Sequence, residues 1–166
     1  MSVQEIRERS GVSVGSLYHH FGNRGGVVLA LYRRSLLALL DHVHAGAIRT
    51  RSAQGLIHAM VTRYLDWVEA HPVEARFVLC GAPAELDAEA AEPMRAAMLE
   101  RVGPLVERAL HYAAAGELAS LPPELYEMVV IGPVSEVASR WLLGEPFDLV
   151  QARSVLSRTT WRALSP

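Results

Sequence analysis

The sequence predicts an all-α fold, with a short helix-turn-helix head joined to a larger helical body. Three observations predict it. Apolar residues recur at three- and four-residue spacing through most of the chain, as on a helix face. Breaks at His71-Pro72, Gly116 to Pro123 and Gly144-Glu145-Pro146 separate these stretches. Near the N-terminus, two short helical patterns meet at a tight glycine turn, Gly11.

The chain has 166 residues, room for one domain or for a small unit plus a larger one. It is 51% apolar with a mean hydropathy of +0.16, high for its size. No apolar run approaches the ~18 residues of a membrane span. The richest, Val27 to Leu40, is interrupted by Arg33 and Arg34. No membrane partner is expected, and the apolar excess should enter a pocket or a subunit interface. The N-terminus has no apolar signal-peptide region, and the single Cys80 cannot form an internal disulfide. Both fit a reducing cytoplasm. Charge is uneven: residues 1–51 hold seven Arg against Glu5, Glu8 and Asp41, a net +4, and residues 52–166 hold nine Arg against fifteen acids, a net −6. A polyanionic partner would therefore meet the N-terminal part.

Ser2-Val3-Gln4-Glu5 reads as a capping box opening a helix of about two turns, with Val3 and Ile6 inward. Arg9-Ser10-Gly11 ends it, and Ser13 can cap a second helix. On that helix Leu17 and Phe21 share one side and would anchor it to the body. Gly15 and His19 lie opposite, flanked by Ser16, Tyr18 and His20. A face of hydrogen-bonding groups around a glycine suits a helix laid against something polar.

The run from Val3 to Arg24, with its core Gly11-Val12-Ser13-Val14-Gly15-Ser16-Leu17-Tyr18-His19-His20-Phe21, resembles the DNA-binding segment of the TetR (tetracycline-repressor-like) family of bacterial transcriptional regulators. The resemblance implies residues 1–48 as a DNA-binding head with its connecting helix, and residues 49–166 as a ligand-binding and dimerisation domain. It implies double-stranded DNA, a second copy of the chain and a small-molecule effector as partners, and no cofactor. Ser13, Val14, Gly15 and Ser16 would enter the major groove at the N-terminal end of the recognition helix. Tyr18, His19 and Arg24 would hold phosphates and set the register. Two departures stand out. The helix that precedes Ser2 in the family is not in this sequence, so Ile6, Leu17 and Phe21 are expected to lose cover. Val14 and Arg24-Gly25-Gly26 replace residues that are commonly Lys and Lys-Glu-Glu, and each glycine should weaken the start of the next helix by up to ~1 kcal/mol.

From Val27 a long helix is expected to about Ala45 or Ile48. Val28, Leu31, Tyr32, Leu36, Leu39, Leu40 and Val43 leave it apolar on nearly all sides, which predicts burial between neighbours. His42 and His44, two apart, point about 160° from each other and make no shared metal site. Thr50 to Gly55 is a connector. A helix follows to Ala70 with Leu56, Met60, Tyr64 and Trp67 inward, then a short one over Val73 to Cys80. Gly81 to Pro93 reads as a loop, followed by a helix to Ala115. The last two helices cover Pro123–Leu143 and Phe147–Leu164, with a kink expected at Gly132-Pro133.

Within the body, Tyr64, Trp67, Arg76, Phe77, Met94, Met98, Tyr112 and Met128, with Trp141, could line an apolar effector pocket, and a buried Arg76 would need an anion. Val134, Ala138, Trp141, Val155, Leu156 and Thr159 supply the apolar stripes that the resemblance assigns to a four-helix dimer interface. No metallopeptidase, nucleophile-elbow or phosphate-loop motif occurs, and Cys80 has no evident histidine partner, so no enzymatic activity is expected. The competing reading is a dimeric helical interaction module whose incomplete head no longer binds DNA.

Overall fold

The structure, a computed structural model, describes residue 19 and residues 21–81 and 88–166. Those residues form six α-helices: α1 Arg24–Ala47, α2 Ala53–Ala70, α3 Pro72–Leu79, α4 Ala88–Ala114, α5 Pro123–Leu142 and α6 Leu149–Leu164. The all-α expectation is met. The helix-turn-helix itself lies outside the described residues.

Local chemistry sets the boundaries. Ser52 and Asp148 cap α2 and α6, accepting the Gly55 and Val150 N–H groups at 3.1 and 2.8 Å. Pro72 and Pro123 stand at the first positions of α3 and α5, where a missing N–H costs nothing. One boundary corrects the sequence reading. Residues 88–93, expected in a loop, belong to α4, and Pro93 is inside it. The strong helix formers Ala88, Glu89, Ala90, Ala91 and Glu92 carry the helix through the one hydrogen bond that Pro93 removes. Likewise α5 is continuous through Pro133, and the Ser135 hydroxyl donates to the Gly132 carbonyl at 3.0 Å.

A second correction concerns which helix is central. The composition of α1 predicted burial on all sides, yet its fully buried residues are only Val27, Ser35, Leu39, Val43 and Ala47. Val28, Leu31, Tyr32, Leu36 and Leu40 are half-buried. The central helix is α2, which packs against all five others. It buries Leu56, Ile57, Met60, Val61, Tyr64, Leu65, Trp67 and Val68. Val130 and Val134 of α5 and Leu164 of α6 complete this core. Each such side chain contributes about 1.5–3 kcal/mol by leaving water.

Side chains pin the helix ends to that core. Arg108 of α4 donates to the Ile48 carbonyl at 2.7 Å and to the Thr50 carbonyl, satisfying the C-terminal end of α1. The Tyr126 hydroxyl donates to the Ala119 carbonyl at 2.7 Å, and the Ala119 N–H donates to the Leu164 carbonyl at 2.7 Å. These bonds hold the loop between α4 and α5 against the end of α6.

Candidate functional site

The head meets the body at the start of α1. Asn23 is extended (φ −153°, ψ −177°) and its side chain accepts the Gly26 N–H at 2.9 Å. Gly22 just before it has φ +74°, a left-handed conformation that favours glycine. The Phe21 carbonyl takes the Asn23 N–H at 2.8 Å and lies so close to Gly26 that an added Cβ would overlap it. Gly26, which the sequence presents only as a weak helix former, is where the incoming chain crosses the helix. Arg24 is exposed at the first position of α1, and His19 is exposed in a helical position. Phe21, expected on an anchoring stripe, is 42% exposed, so the described residues cover only part of its ring. Ser13, Val14, Gly15, Ser16 and Tyr18 lie outside the described residues.

The eight pocket candidates separate into four places. Tyr64, Trp67 and Met94 are buried in the body, and Phe77 and Met98 are half-buried. Tyr112 lines a groove of about 600 Å³ beside Arg108 at the end of α1. Met128 is 64% exposed on the outer side of α5. Arg76 is exposed, and its guanidinium donates to the Leu142 carbonyl at the end of α5. Its partner is therefore a helix-end carbonyl in place of the anion that burial would have required. Arg76 and Trp141 share a groove of about 450 Å³ with Val73 and Leu142.

Tyr32 was not singled out by its position in the sequence. Its ring meets Phe77 of α3 edge-to-face, with centroids 5.9 Å apart. Burial pushes the Tyr64 phenol well above its ordinary titration range, and the neighbouring Tyr32 adds to the shift. Burial raises Tyr32 as well.

Two polar attachments tie α1 to its neighbours. Arg101 of α4 grips Asp41 at 2.7 and 3.4 Å, and the His44 Nδ1–H donates to the Arg101 carbonyl at 2.8 Å. His42 faces α2 instead, where desolvation and then the Arg63 charge lower its pKa, opposed by Asp66. The two histidines thus serve different helices, as their spacing predicted. Sequence spacing could show that Asp41 and His44 share a face but could not show that α4 supplies their partner.

On the other side of the body, Val134 and Ala138 have no exposed surface and pack in the protomer's own core. Trp141 and Leu156 are half-buried, Val155 is 41% exposed, and Thr159 is exposed with its hydroxyl turned to the Val155 carbonyl at 3.0 Å. Val155 and Leu156 line a shallow, mostly apolar groove of about 310 Å³ with Val137, Phe147, Asp148, Gln151 and Ala152.

Residues 1–31 match the family described as bacterial regulatory proteins, tetR family. The whole fold has counterparts of the same description. A protein from Shewanella sp. PV-4 assigned to the tetR family of transcription regulators is 20% identical, with 100% of this chain and 88% of that chain covered at a TM-score of 0.75. A TetR family transcription regulator from Marinobacter aquaeolei VT8 is 17% identical, with 99% and 85% covered at 0.78. One from Thermus thermophilus is 17% identical, with 98% and 88% covered at 0.72. The described helices thus share the all-α fold of these three proteins. The likeness to that family in sequence is carried by the N-terminal 31 residues.

Proposed function

We propose that the protein binds a near-palindromic operator as a homodimer and acts as a repressor released by a small molecule. Residues 1–48 act as the DNA-binding head with its connecting helix, and residues 49–166 as the ligand-binding and dimerisation domain. The observation that carries this reading is the family match over residues 1–31, which runs directly into α1. Ser13, Val14, Gly15 and Ser16 read base edges from the major groove. Tyr18, His19 and Arg24 bond phosphates and fix the register. The net +4 of residues 1–51 favours this end for DNA over the acidic body.

The dimer face is the outer side of α5 and α6, through Val155, Leu156 and Thr159. The effector enters the body near Tyr64, Trp67, Phe77, Met94 and Met98. No helix among the described residues is long and apolar enough to cross a membrane, which agrees with action in the cytoplasm.

Selection of bound sequences from random duplexes, followed by titration on the recovered site, tests the function. An inverted repeat should emerge, with affinity falling steeply as salt rises. Arg24→Ala should weaken binding evenly across sequences and lower the salt slope by about 1. Binding no tighter than to random DNA at physiological salt would reject the regulator and favour the interaction module.

A further inference from the structure

The groove between the start of α3 and the end of α5 combines a guanidinium, an indole and an apolar wall. It encloses about 450 Å³ and is lined by Pro72, Val73, Arg76, Trp141, Leu142 and Gly144. That volume lies in the range of small-molecule sites. Pro72 is the first residue of α3, and Val73 and Arg76, three apart, share one face of it. Trp141 and Leu142 end α5, and Gly144 turns the chain away with φ +96°, a left-handed conformation that favours glycine. Val73 is 79% exposed and Trp141 half-buried, so the apolar wall opens to the surface.

Among the described residues, Arg76 is the only charged side chain that lines the groove. Its Nη2 donates to the Leu142 carbonyl, which holds the group against the end of α5. Arg76 is exposed and has no ion pair among the described residues, so the other donors of its guanidinium are open to a ligand. The neighbouring charges are taken up elsewhere. Arg140 takes Glu136 at 2.6 Å and Glu145 at 3.8 Å, and the Asp148 carboxylate accepts the Val150 N–H at 2.8 Å. Glu74 is in the first turn of α3 but does not line the groove. The complement of such a groove is an anion with an apolar body. A carboxylate matches the guanidinium through two parallel N–H donors, and an aromatic ring packs on the indole. An exposed ion pair alone is weak, so the body must supply part of the affinity.

We propose that this groove binds a small aromatic monocarboxylate, with its carboxylate on Arg76 and its ring against Trp141 and Val73. Tyr64, Trp67, Phe77, Met94 and Met98, the residues of the proposed effector site, do not line it. The inference is therefore a second site and does not rest on the regulator reading.

The test is calorimetric titration of the whole chain, without DNA, using three probes: 2-naphthoate, its neutral amide, and acetate. Naphthoate should bind at least tenfold tighter than the amide, which keeps the ring, and than acetate, which keeps the charge. Arg76→Gln should weaken naphthoate at least tenfold. Arg76→Lys should weaken it about three- to tenfold, because an ammonium keeps the charge and loses the fork. Arg76 also holds the Leu142 carbonyl, so Val73→Glu tests the groove without touching that bond. The position is 79% exposed, so the melting temperature should stay near the parent's. The new carboxylate should repel naphthoate and weaken it at least tenfold. Naphthoate bound no tighter than its amide, affinity unchanged in Arg76→Gln or in Val73→Glu, or no binding up to the solubility limit would overturn the proposal. A protein that binds its operator but not naphthoate loses this inference alone. One that binds naphthoate but no operator loses the regulator reading alone.

Discussion

His42 shows how one side chain links the fold to pH. Its Nε2 is buried without a partner, and desolvation, then Arg63, lower its pKa, with His71 acting in the same direction and Asp66 opposing. A lowered pKa means that the folded chain binds fewer protons at this group than the unfolded chain does. Stability therefore rises with pH across this titration, and it is lost as pH falls through the ordinary histidine value of about 6.5 and below. His42→Gln removes the titration and keeps a polar side chain of similar reach. Urea midpoints measured at pH 7.5 and 5.5 should separate less in the variant than in the parent. An unchanged separation would show that the acid sensitivity arises elsewhere.

At the scale of elements, α1 joins the head to the body, and its attachments are polar. Asn23 and the tight approach at Gly26 fix its beginning, the Asp41–Arg101 pair and His44 fix its middle, and Arg108 fixes its end. Gly26→Ala tests the first of these. The new Cβ would meet the Phe21 carbonyl, a backbone atom that can yield only if the chain entering α1 moves. Alanine is otherwise the better helix former by up to ~1 kcal/mol. We expect operator affinity to fall by at least tenfold while the helical signal and melting temperature of the body stay near the parent's. A variant that binds DNA as the parent does would show that the path from Phe21 to Gly26 is not needed for docking. The periodicity of Leu56, Met60, Tyr64 and Trp67 made α2 legible, and the His71-Pro72 break marked its end. The helical reach of residues 88–93 was hidden by Pro93, because a proline normally signals a boundary and here Ala and Glu neighbours outweigh it. The centrality of α2 over α1 was also hidden. Both are rich in apolar residues, and only the packing of six helices decides which one is enclosed. The burial of Tyr64 was legible from its spacing, whereas the contacts of Tyr32 with Phe77 and of Arg101 with Asp41 join residues far apart in the sequence.

For the whole molecule, the question is where an apolar content of 51% is used. Part of it remains on the surface of the last two helices, where Leu125, Met128 and Leu143 of the α5 region and Val150 and Val155 of α6 are 38–67% exposed. The spacing of Leu125 and Met128 puts them on one face of α5, and Val137, Phe147, Ala152, Val155 and Leu156 line a separate apolar groove where α5 meets α6. A two-fold axis through such a face uses every residue twice, so a single charge introduced there appears as two in the dimer. Val155→Arg is the direct test. Val155 is 41% exposed, so the change should alter the stability of the isolated protomer by no more than about 0.5 kcal/mol. In the dimer it would desolvate a guanidinium in an apolar groove whose one acid, Asp148, already caps α6, at a cost of several kcal/mol. Sedimentation at micromolar concentration should show the parent as a dimer and the variant as a monomer. On an operator with two half-sites, the variant should also bind at least tenfold more weakly, because each head must then dock without its linked twin. A variant that sediments as a dimer would move the interface away from α6. A monomeric variant with undiminished operator affinity would break the link between this face and DNA binding.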